Sequence, residues 1–137
     1  MSGVVVSAID SSVLLDVLSN DPSHGPVSLQ ALRHARRAGA LIVCPVVWAE
    51  VRGFFSGPDR MQAILDDASI RFDPFDLECA DLAGEYWHRY RRGGGSRTRL
   101  MSDFLIGAHA LIRANCLVTR DRGFFRRYFT GLRVSEP

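Results

Sequence analysis

Val4-Val5-Val6-Ser7-Ala8-Ile9-Asp10-Ser11-Ser12-Val13-Leu14-Leu15 is two elements joined at an acid. The β-branched run from Val4 to Ile9 reads as a buried strand. Asp10-Ser11-Ser12 supplies side-chain oxygens that can cap a helix, and the apolar residues behind it carry that helix to about Leu18. Further along, Asn20 to Gly25 reads as a loop, with Asp21-Pro22 and Gly25-Pro26 as breakers. Val27 to Ala38 has helical spacing through Leu29, Leu32 and Ala35 and stops at Gly39. Leu41-Ile42-Val43 is a second strand, and Pro45 opens a helix running to about Phe55. Pro58 opens another, to about Ala68, and Ile70-Arg71-Phe72 is a third strand. Leu77 to Arg92 reads as a long helix, followed by the loop Gly93-Gly94-Gly95-Ser96. Ser102 is placed to cap a helix over Phe104 to Arg113. Cys116-Leu117-Val118 is a fourth strand, Gly123 to Phe129 a short helix, and Leu132-Arg133-Val134 a last, edge strand. Strands alternating with helices predict an α/β fold with a mostly parallel central sheet of four to five strands.

The 137 residues make one domain, 1–137, with no internal repeat or linker. No apolar run approaches the roughly 20 residues of a membrane helix. The N-terminus lacks a basic leader segment and reads as the start of a strand. Cys44, Cys79 and Cys116 are far apart, which indicates neither a disulfide framework nor a zinc site. These features together predict a cytoplasmic protein.

Charge is distributed unevenly. From Arg89 to Arg133 there are eleven arginines and two acids, Asp103 and Asp121, for a formal charge of +9. The rest of the chain sums to −7. A third this basic usually faces an anionic partner. All 17 basic residues are arginine; genome composition accounts for the missing lysines but not for the segregation.

Four acids share a positional property. Asp10 directly follows the first strand. Glu50 lies in the helix after the second strand, where Ala49 and Val51 imply a half-buried face. Asp121 lies three residues past Val118, and Asp103 begins a helix. Parallel strands end on one sheet edge, where open α/β sheets bind ligands, so the four could converge. Three of them also have a plainer reading: Asp10 as a helix cap, Asp103 as an acid complementing a helix dipole, Asp121 as a turn residue. If they meet, their repulsion demands cations, and hard oxygen ligands select Mg²⁺ or Mn²⁺ over Zn²⁺.

The ordered set resembles a known family. The strand ending in Asp10-Ser11-Ser12-Val13-Leu14-Leu15 looks like the opening of a PIN domain. Ala49-Glu50-Val51 resembles its second acidic motif and Ser102-Asp103-Phe104-Leu105-Ile106-Gly107-Ala108 its third. Thr119-Arg120-Asp121-Arg122-Gly123-Phe124 resembles its fourth. In size the chain is similar to VapC-type toxins of bacterial toxin–antitoxin pairs. The resemblance implies an Mg²⁺- or Mn²⁺-dependent endoribonuclease in which Asp10, Glu50, Asp103 and Asp121 are both the catalytic residues and the metal ligands, with Thr119 and Ser12 as accessory hydroxyls. It also implies a cognate antitoxin and a homodimer. A water activated by the metal would attack the phosphorus in line, leaving 5′-phosphate and 3′-hydroxyl ends. Gly107 stands where alanine is common, which should slightly weaken its helix.

Arg97, Arg99, Arg120 and Arg122 flank Asp103 and Asp121 and are the candidates for RNA phosphate contacts, against the alternative of a solvated arginine face. His24, His34, His88 and His109 read as structural. Three other readings remain open: an RNA-processing nuclease without an antitoxin, a phosphoryl-accepting α/β domain, and a non-catalytic RNA- or protein-binding module. The phosphoryl-accepting domain would ordinarily place a lysine by the phosphate, and the chain has none.

Overall fold

In the computed structural model, strand β1 (Val5–Ile9) lies at the centre of a five-stranded sheet. The structure describes residues 4–95 and 99–137. Every strand pairing is parallel, in the order β3-β2-β1-β4-β5, with β2 at Gly39–Val43, β3 at Ile70–Phe72, β4 at Cys116–Val118 and β5 at Val134–Ser135. Val5 pairs with Gly39 and Ile9 with Val118. The sheet builds outward from β1 to β2 and β3, then crosses back to place β4 on the other side of β1. That reversal marks the carboxyl ends of β1 and β4 as the edge at which open α/β sheets bind ligands.

The helices follow the expected punctuation, with shifts of a few residues. They are α1 (Ser11–Leu18), α2 (Gly25–Ala38), α3 (Pro45–Arg52), α4 (Pro58–Asp67), α5 (Leu77–Arg92), α6 (Met101–Arg113) and α7 (Arg122–Tyr128). Gly25-Pro26 opens α2 and does not break the chain, because proline needs no hydrogen-bond acceptor in a first turn. The third helix stops at Arg52, short of Phe55. Ser102 is not the cap of α6. The helix begins at Met101, with Leu100 in the cap position two residues earlier than expected, and the Asp103 carboxylate accepts the Leu100 N–H at 3.2 Å.

Close approach explains two glycines. A Cβ at Gly39 would lie 1.9 Å from the Val5 carbonyl oxygen, so β2 can start alongside β1 only without a side chain there. A Cβ at Gly107 would lie 2.5 Å from the Phe129 ring. Gly107 therefore admits an aromatic residue against α6 and is more than a weak helix former. Around it Tyr90, Phe104, Phe124, Phe125 and Phe129 form a buried cluster that fastens α5 and α7 to α6. Each such ring stabilises the fold by roughly 2–3 kcal/mol on burial. This packing fixes the N-terminus of α6, and hence Asp103, relative to the sheet edge.

Candidate active site

Asp10 stands at the end of β1, and the ladder reaches it: its N–H donates to the Val118 carbonyl at 3.0 Å. Its side chain fills the plainer of its two sequence readings, the helix cap, with one oxygen and leaves the other to two hydroxyls. One oxygen accepts the Ser11 N–H at 2.8 Å, capping α1; the other accepts the Thr119 hydroxyl at 2.6 Å and the Ser12 hydroxyl at 3.4 Å. Thr119 is fully buried, and its oxygen in turn accepts the Asp121 N–H at 2.9 Å. One hydroxyl thus ties the carboxylate ending β1 to the backbone of Asp121, beyond β4. Ser12 makes a parallel link by accepting the Arg120 N–H at 3.4 Å.

Glu50 comes to the same edge on α3. Val47 and Val51 turn inward, and Glu50, on the flank between them, is exposed and not half-buried as expected. Partial burial of its carboxyl still raises its pKa, and the charges of Asp10 and Asp103 add to the rise, while a hydrogen bond from Ser11 opposes it. The Asp10 carboxyl is also pushed up, chiefly by burial and further by Asp103; Thr119, Ser11 and Ser12 moderate the shift. Asp10, Glu50 and Asp103 therefore lie within mutual electrostatic reach. Sequence inspection missed Ser11, which serves two of these acids. The clue was its place directly after Asp10 in a paired-serine cap.

Asp121 has another neighbour. The Arg99 guanidinium donates to both its oxygens, Nη1 to Oδ2 and Nη2 to Oδ1, the second at 3.2 Å. Nη1 also lies 4.0 Å from Asp103 Oδ2. The other candidate arginines are placed differently. Arg120 forks the buried Asp16, with Nε to Oδ2 at 2.7 Å and Nη2 to Oδ1 at 3.0 Å, and Ser28 donates to the same carboxylate at 2.7 Å. Arg122 pairs with Glu136 at 3.1 Å. Arg97 lies outside the described residues.

The donor set suits a hard divalent cation. Among the described residues, Asp10 and Glu50 have no cationic side-chain partner, and each feels the negative charge of its neighbours. No three acids, histidines or cysteines there gather as tightly as a closed metal site. Like charge opposes their closer approach, and Asp121 is held by Arg99.

Comparison with known protein families finds the PIN domain, matched over residues 8–129. The chain belongs to the PIN-domain family. No curated protein matches it. Solved structures share its fold. A chain of VapBC2 from Rickettsia felis, bound to a DNA fragment from their promoter, aligns at a TM-score of 0.76 and 17% identity over 97% of this PIN domain and 99% of that chain. VapBC-1 from nontypeable Haemophilus influenzae gives 0.71 and 17% over 96% and 98%. FitAcB from Neisseria gonorrhoeae gives 0.63 and 18% over 93% and 95%. At these identities the likeness is one of fold.

Proposed function

We propose that this PIN domain is a metal-dependent endoribonuclease and the toxin of a toxin–antitoxin pair. The observation that carries the reading is that Asp10, Glu50 and Asp103 lie within electrostatic reach of one another at the sheet's switch point beside Asp121, with no arginine among the described residues on Asp10 or Glu50. Asp10, Glu50, Asp103 and Asp121 would hold Mg²⁺ or Mn²⁺. The cation, when bound, makes water more acidic and offsets charge developing on phosphoryl oxygens. The chain's own residues prepare the site. Thr119 and Ser12 orient Asp10 through its Oδ2, and Ser11 holds the other oxygen. Asp103 stands at the start of α6, fixed by the aromatic cluster behind it. The arginine-rich third supplies the positive field that draws RNA.

The toxin role is supported by the shared fold, since the similar solved structures include a toxin–antitoxin complex from Klebsiella pneumoniae. On this reading a cognate antitoxin silences the enzyme in the cytoplasm, and the domain works as a homodimer, which light scattering checks.

Asp103→Asn tests the chemistry. Asparagine keeps an oxygen to accept the Leu100 N–H, so the helix start survives while the charge is lost. Cleavage of RNA in Mn²⁺ should fall about 10²-fold or more, with unchanged circular dichroism. RNA ends mapped from cells expressing the native chain should carry 5′-phosphates, and growth arrest should vanish in the variant. Full cleavage by Asp103→Asn would overturn the assignment.

A further inference from the structure

Arg99 differs from Arg120 and Arg122 in pairing with one of the four acids. Arg120 is committed to a carboxylate that is 5% exposed, and Ser28 supports the same acid. Arg99 binds an acid whose side chain is 40% exposed, and its own side chain is 31% exposed. It belongs to no helix or strand, standing just ahead of α6. Its guanidinium lies 4.2 Å from the centre of the Phe124 ring, an apolar shelf that orients the fork without holding its hydrogens. From there it meets both oxygens of Asp121 and reaches towards Asp103. A positive group therefore already sits between two of the four acids.

We propose that Arg99 is a displaceable in-chain counter-ion that occupies Asp121 and must yield it before a divalent cation gathers all four acids. The inference rests on the metal-binding reading above. In the metal-free protein the guanidinium offsets part of the charge of the acidic cluster. A divalent ion carries twice that charge on one small centre and is the better ligand for clustered carboxylates, whereas a partly exposed ion pair is weak and easily exchanged. Arg99 consequently sets the divalent concentration at which the site fills. It acts as a positioning residue through Asp121.

Manganese titration of the full chain by calorimetry, with melting in chelator and in Mn²⁺, tests this. Arg99→Gln should bind Mn²⁺ about two- to fivefold more tightly than the native chain, with Arg99→Lys between them, since lysine keeps the charge but loses the fork. Arg99→Gln should also melt lower in chelator, where Asp121 and Asp103 lose their counter-ion, yet gain more on adding Mn²⁺. In an Asp121→Asn background the Arg99 substitution should no longer change affinity. A residue with a merely structural role would lower both melting points and leave affinity unaltered. If the native chain binds Mn²⁺ through Asp103 and Arg99→Gln binds no more tightly, the inference is overturned while the metal reading stands. If neither protein binds Mn²⁺, both fall. Binding by Arg99→Gln alone supports the inference in its strongest form.

Discussion

At Thr119 a single hydroxyl donates to Asp10 and accepts from the Asp121 backbone, so two acids separated by over a hundred residues share one buried oxygen. Gly107 shows the same dependence on one atom, here a missing one. Alanine would add about 1 kcal/mol of helix propensity, but its methyl would overlap the Phe129 ring. Overpacking of this kind costs about 1–3 kcal/mol, so Gly107→Ala should lower stability in urea. Adding Phe129→Leu should recover part of the loss, because a smaller side chain vacates the clash. A neutral or stabilising Gly107→Ala would mean that the ring shifts freely.

Two polar connections between elements were not visible in the sequence. Arg120 spans from the end of β4 to Asp16 on α1, where Ser28 of α2 also donates. Removing the arginine leaves a buried carboxylate short of donors. Arg120→Ala should therefore cost about 2 kcal/mol, a figure kept low because the arginine is 37% exposed. Asp16→Asn should be milder, and the double variant should destabilise less than the two losses added. Strict additivity in denaturant unfolding would show that the pair contributes nothing.

The second connection joins α6 to the segment before α5. His109 lies 2.8 Å from Asp73, which also accepts from Arg113 at 3.1 and 3.3 Å. Burial lowers the pKa of His109, and the opposing pull of Asp73 does not restore it. Burial raises Asp73, but Arg113 and His109 outweigh it and leave the carboxyl lowered. For both groups the unfolded chain binds protons more readily than the folded one, so stability rises with pH. The histidine contribution is full above its unfolded value of about 6.5 and is lost as pH falls through the lower folded value. The aspartate contribution is lost further down, below about 4. The guanidinium chloride midpoint should drop between pH 7 and 5. In His109→Gln that slope should flatten, and an unchanged slope would assign it elsewhere.

Across the whole molecule, the acids come from both sides of the charge divide: Asp10 and Glu50 from the acidic part, Asp103 and Asp121 from the basic third. Binding that requires the folded arrangement must stabilise the fold, by about 2.7 kcal/mol at a hundredfold excess over the dissociation constant. Millimolar Mn²⁺ should therefore raise the melting temperature of the native chain and leave that of Asp10→Asn nearly unmoved. Equal shifts in both would place the cation elsewhere.

The sequence alone was enough for the α/β alternation, the parallel sheet, four of the strand positions and the order of the acidic motifs, while the edge strand expected over Leu132 to Val134 falls at Val134–Ser135. These depend on local periodicity, on β-branched runs and on proline and glycine punctuation, which a linear reading can follow. It was also enough to mark Asp10 as both cap and site candidate, without choosing between them. Only the tertiary structure decided that Asp10 caps α1 with one oxygen and meets Thr119 and Ser12 with the other, that Glu50 stands exposed at the rim, that Gly107 makes room for Phe129, and which arginines are engaged. Arg99, Arg120 and Arg122 look alike in a linear reading. One covers Asp121, one anchors on Asp16 and one meets Glu136. Those differences arise from which distant carboxylate the packed helices bring within reach, and from how much water remains around it.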